Sequence, residues 1–219
     1  MRGGPNNCFN LTCPLSRFVL LASLVHAQTA PIRFAERAAQ VKQMLIGVQM
    51  SKKDYRISKS SVQGLNEEAL FWAVIEPIWP DNSVADELEH LSQGTHGQRA
   101  LYATTLFMRE VDNGGLEQFY WNNSGLYSEE VLKGFQILGM NHHAELVRKA
   151  LSFFPDGKAP IDWEKRRDYL ESKGFGSEFD QVKYFFTPIN DELYGEEKLY
   201  PFFKKYIETH KNEFFLDED

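Results

Sequence analysis

The run from Val111 to Gly125, Val-Asp-Asn-Gly-Gly-Leu-Glu-Gln-Phe-Tyr-Trp-Asn-Asn-Ser-Gly, holds the densest group of side chains able to do chemistry. Asp112 and Glu117 stand on either side of a glycine pair, a spacing at which two carboxylates can converge as a general acid and base must. With Asn113, Gln118, Tyr120 and Asn122 they would line a polar pocket. The same residues also have a purely structural reading. Asn113, Gly114 and Gly115 fall where a helix would just have ended, which suits a left-handed cap. The amides would then satisfy loose backbone groups at two adjoining helix ends. Residue types and spacing leave both readings open.

Elsewhere the chemistry is thinner. His142, His143 and Glu145 suggest a metal, but adjacent helical residues point about 100° apart, so further ligands would have to come from other elements. There is no His-Glu-x-x-His, no Gly-x-Ser-x-Gly elbow, no Walker loop and no dinucleotide fingerprint. No catalytic residue, metal or cofactor is therefore expected. Lys165, Arg166 and Arg167 alternate with Glu164, Asp168 and Glu171 at helical spacing, the pattern of surface ion pairs. Tyr184, Phe185, Phe186, Phe202 and Phe203 are expected in the core.

Composition sets the frame for these groups. The 219 residues are 42% hydrophobic, 14% aromatic and 25% charged, enough for one good core. No run of about 18 apolar residues exists, which excludes a polytopic membrane protein. The net charge of −7 hides a strong asymmetry. Residues 1–59 carry nine bases and two acids, whereas residues 60–98 carry seven acids and no Lys or Arg. From residue 60 onward the net is −14. Such a surface repels nucleic acid, whose binding depends on Lys and Arg at phosphates. It attracts a basic protein partner instead. The acids expected to meet that partner are Glu67, Glu68, Glu76, Asp86, Glu87 and Glu89, with Asp191, Glu192, Glu196 and Glu197 second.

The basic leader contains an apolar stretch, Phe18 to Val25, followed by Val25-His26-Ala27. This fits a short signal peptide over residues 1–27 cleaved after Ala27, which would place the chain in the periplasm or outside the cell. A start codon assigned too far upstream, which leaves the chain cytoplasmic, or an acid-poor transit peptide would look similar. Both cysteines, Cys8 and Cys13, lie in this leader.

Periodicity expects helix nearly everywhere. Ala38, Val41, Leu45 and Val48 mark one face of a helix near 33–50, and the polar stretch 51–64 reads as a linker. Asn66, Ser83, Thr95, Ser128, Asn141 and Asp162 each open a helix. The helix from Thr95 to about Val111 is apolar on several sides and belongs at the centre. A short helix follows over Glu117 to Asn122. The aromatic element from Phe179 is expected to end at Pro188, and Pro201 suits the first turn of a last helix. The expected fold is all-α: a single compact domain of about seven to nine helices over 60–216, after an N-terminal helix and linker at 28–59.

The sequence also resembles a known family. Gln98-Arg99, the run from Glu110 through Asp112, Asn113, Gly114, Gly115, Glu117 and Gln118 to Tyr120, and Asn122-Asn-Ser-Gly125 are similar to the bacterial DNA-mimic protein family. The similarity continues through Ile137-Leu-Gly139, Lys149-Ala150, Phe153-Phe-Pro155, Arg166-Arg167 and Tyr206-Ile207 to His210 and Phe214. It spans residues 66–215. Leu116 and Trp121 depart from the aromatic pattern of such chains, and a secretion leader is not a family feature. The resemblance implies an all-helical, non-enzymatic protein that occupies the basic face of a DNA-binding partner. The competing expectation is a small enzyme or ligand-binding domain that uses the Asn-Gly-Gly segment as a pocket.

Overall fold

Asn66 and Thr95 start the first and the longest helix by one local device, a side-chain oxygen that accepts a backbone N–H of the first turn. Asn66 Oδ1 accepts from Ala69 N at 2.8 Å. Thr95 Oγ1 accepts from Gln98 N at 3.2 Å while Gln98 Oε1 accepts from Thr95 N at 3.1 Å, a reciprocal capping box. The computed structural model describes residues 53–80, 87–194 and 199–217. Its α-helices are α1 (Glu67–Ile75), α2 (Glu87–Ser92), α3 (His96–Trp121), α4 (Ser128–Ile137), α5 (Asn141–Leu151), α6 (Trp163–Ser172), α7 (Gln181–Leu193) and α8 (Tyr200–Thr209). The fold is all-α, as the periodicity predicts. Among the described residues the one β pairing is an isolated parallel bridge between Ile57 and Phe215.

The helix α3 is central, and α4, α6, α7, α1 and α8 all pack on it. Its apolar sides bury Leu101, Phe107, Val111, Leu116, Phe119 and Tyr120. The Phe107 ring meets Phe119 and Phe135 edge-on at 4.9 and 5.7 Å, and Tyr120 stacks on Phe186 of α7 at 5.4 Å. Each such ring stabilises the fold by roughly 1.5–3 kcal/mol through burial. A second aromatic group joins α1 to α8, with Phe71 stacked on Phe203 at 4.9 Å. Among the described residues no helix is long and apolar enough to cross a membrane.

Three expectations differ from the structure. Within 51–64, read as linker, Tyr55 is anchored to the domain: it is buried, its hydroxyl meets His90 Nδ1 at 3.1 Å, and Gln98 Nε2 donates to its carbonyl at 3.0 Å, while residues 58–61 are exposed. The stretch is polar because most of its side chains face solvent. Pro188 does not end the aromatic element, since α7 runs through it. Pro188 is exposed, so water can meet the carbonyl that its missing N–H leaves without a helical partner. Finally, Tyr184 is 87% exposed, while Phe186 alone of that triplet is fully buried. The helix expected at 33–50, the cap at Ser83 and the leader lie outside the described residues.

Candidate functional site

The central helix is broken in the middle of the signature segment. Gly114 has φ −164 and ψ 23, and Gly115 has φ 74 and ψ −175. The helical ladder stops there, and a second helical piece begins at Leu116 with its first N–H groups unpaired. Asn190, 6% exposed on α7, supplies the partner: its Oδ1 accepts from Leu116 N at 2.9 Å. Its Nδ2 donates to Glu117 Oε2 at 2.8 Å. A Cβ at Gly115 would lie 2.6 Å from both Asn190 Nδ2 and Glu117 Oε2. Glycine is thus required twice, for the positive φ and for the close approach.

On the other side of the break Glu110 gathers the amides. Gln118 Nε2 and Asn122 Nδ2 donate to Glu110 Oε2 at 2.7 and 3.0 Å. Ser124 Oγ donates to Glu110 Oε1 at 3.1 Å, and Asn113 Nδ2 donates to Gln118 Oε1 at 3.0 Å. The signature amides therefore bond within their own segment and seal the kink. Sequence reasoning left Glu110 out of the site; its position three residues before Asn113, on the helix leading into the break, was the available signal. Tyr120 is fully buried in the core, and burial pushes its hydroxyl pKa up against the opposing pull of Ser128 and Arg166.

Asp112 is exposed and Glu117 half-buried. The charges of both act on the Tyr194 hydroxyl. Burial first, then the charges of Glu117, Asp112 and Asp191, raise the Tyr194 hydroxyl above its ordinary value.

Arg166 and Arg167 depart from the expected surface pairing, while Lys165 is exposed. Arg166 is fully buried and donates to four backbone carbonyls: Tyr120 at 2.7 Å, Asn122 at 2.7 Å, Pro160 at 2.6 Å and Ile161 at 3.1 Å. These include the loose carbonyls at the end of α3, where a cation is favoured by the helix dipole. Gly125 makes room for it, since a Cβ there would lie 2.5 Å from Arg166 Nε. Arg167 lies between the rings of Trp121 and Trp163, at 3.9 and 4.0 Å from their centroids. Helical charge spacing is the same for a surface pair and for a buried strap, so it did not tell them apart.

The remaining acids fall into different settings. Glu67 pairs with Lys204 at 3.7 Å, and Glu68 accepts from the Tyr200 hydroxyl at 3.4 Å. Glu76 and Glu89 are exposed. Glu87 Oε1 accepts from the hydroxyls of Tyr102 and Tyr127 at 2.6 and 2.7 Å, which ties α2 to the body. Glu192 faces His142 at 3.8 Å and Lys149 at 3.7 Å. Asp86, Glu196 and Glu197 lie outside the described residues. His143 is buried with its ring 5.0 Å from Phe135, while His142 is exposed beside Glu192.

Fold and site together define an acidic, all-helical domain organised round a central helix broken at a glycine pair. A family profile described as DMP19-like protein matches residues 92–210, and the chain belongs to that family. No curated protein and no solved structure matches the chain. The matched span runs from the end of α2 to the end of α8 and includes the break; α1, with Glu67 and Glu68, precedes it.

Proposed function

We propose that this domain acts as a DNA mimic: a non-enzymatic acidic protein that engages the basic surface of a DNA-binding protein. The observation that carries the reading is the bond from Asn190 to Glu117 at 2.8 Å, which ties an acid of the helix break to α7, the helix of Asp191, inside the family-matched span. Duplex DNA presents one charge per about 1.7 Å of axis, so a mimic needs carboxylates held in place. Asn190 holds Glu117 directly, and Asp191 is its neighbour on α7. The net charge of −14 from residue 60 onward supplies long-range attraction for a basic partner and repulsion for nucleic acid. The acids of α1 contribute less, because α8 places Lys204 against Glu67.

The test is a pull-down from the native cell with the wild-type chain and with the triple variant Asp112→Asn, Glu117→Gln, Asp191→Asn. DNA-binding proteins held by the wild type, released by salt and by competing duplex DNA, and lost with the folded triple variant are the expected result. Equal capture by both chains overturns the assignment of this face. The reading also requires residence among DNA-binding proteins. N-terminal sequencing of fractionated native cells that finds the chain starting near Gln28 outside the cytoplasm overturns it.

A further inference from the structure

We infer that the cavity between α2, α3 and α4 seats an apolar side chain of the basic partner, so that the partner is anchored as well as attracted. This inference rests on the basic-partner reading above and adds to it a particular surface. The cavity has a volume of about 420 Å³ and opens to solvent. Leu88, Leu91, Ala103 and Leu126 form its apolar lining. Leu88 stands at the lip, 48% exposed. A concavity of this size takes a leucine, methionine or phenylalanine anchor of the kind that dominates protein interfaces.

The charges round it select the occupant. Glu130 lines the cavity, and Glu87 and Glu89 are on α2 beside it. The two tyrosine hydroxyls hold the Glu87 carboxylate in one orientation, so a partner cation meets a charge already in place. Arg99, the cation of the lining, is bonded through Nη1 to the Gly94 carbonyl at 2.9 Å. The occupant is therefore an apolar side chain flanked by Lys or Arg, as on one face of a basic amphipathic helix. DNA offers no apolar anchor of this kind, so the cavity gives the protein a hold on its partner that duplex DNA lacks.

Two labelled helical peptides of equal positive charge test this against the full-length chain, one with a stripe of leucines and one with serines in their place. At high salt the leucine peptide binds at least about tenfold more tightly, because apolar burial is not screened. The substitution Leu88→Ser, at an exposed position, brings the two peptides level. Methyl shifts of Leu88, Leu91 and Leu126 in the wild-type chain move with the leucine peptide and report the same site without a substitution. Equal affinity for both peptides, or methyl shifts elsewhere, overturns the anchor and leaves the basic-partner reading standing. Binding of neither peptide overturns both. A dimer of the chain that the leucine peptide dissociates assigns the cavity to a second copy and overturns the inference.

Discussion

Arg166 Nε donates to the Tyr120 carbonyl at 2.7 Å, a bond between residues 46 positions apart whose side chains are both fully buried. It makes α6 a strap across the end of the central helix. Removing the guanidinium takes a donor from four carbonyls, that of Tyr120 in a buried site. Arg166→Met is expected to cost about 3 kcal/mol or more, and Arg166→Lys most of that, because an ammonium cannot reach the same fork of acceptors. Urea unfolding measures this, and an unchanged midpoint for Arg166→Met contradicts the strap.

Gly115→Ala is expected to destabilise by roughly 2–4 kcal/mol, from the positive φ and from contact with Asn190 and Glu117. The two sources separate in a double-mutant cycle. In an Asn190→Ala background part of the clash is gone, so the added cost of Gly115→Ala falls. Strict additivity of the two losses shows that Asn190 takes no part in the strain.

Glu110→Ala is expected to cost about 1–3 kcal/mol by leaving the amide donors of Gln118 and Asn122 without their acceptor. Glu110→Gln keeps one carbonyl oxygen and loses less. The side-chain amide signals of Gln118 and Asn122 shift in both variants, and no shift in either refutes the gathering role of Glu110.

The tyrosines give the fold an alkaline limit. Burial, joined by the hydrogen bond to Glu87, raises Tyr102 and Tyr127 well above their ordinary value of 10.0. Burial and Glu213 do the same to Tyr206. An acid whose folded pKa exceeds its unfolded one keeps its proton more tightly in the fold. Its stabilisation is complete below pH 10 and is lost progressively as the pH rises above it. Tyrosinate absorbance from these residues should therefore rise only as helix is lost, with Tyr102→Phe and Tyr127→Phe together making that loss less steep. Their titration within a fully helical protein contradicts this.

The helix starts were legible because capping is local: Asn66, Thr95 and Asp162 each bond a backbone N–H within three residues. The left-handed glycine at 115 was legible for the same reason. What closes the break, and what straps the end of the helix, was not. Asn190 reaches Leu116 from 74 positions away and Arg166 reaches Tyr120 from 46, and no periodicity records such distances. Pro188 misled because its effect depends on whether the carbonyl it orphans faces water, which only the packed helix decides. The acids were legible as charge, while their use was not. Glu87 looks like its neighbours in sequence, yet two tyrosine hydroxyls give it a structural task.

The parallel pairing of Ile57 with Phe215 has a mechanical consequence. Ile57 N donates to the Phe214 carbonyl at 3.0 Å, and Leu216 N donates to the Ile57 carbonyl at 2.9 Å. In a parallel pair, tension on the earlier segment toward its start and on the later one toward its end slides the two past each other, so both bonds are loaded in shear at once. An antiparallel clasp would open like a zipper, one bond after the other. A pull on Ile57 and Phe215 must therefore shear this latch before it reaches α1 or α8.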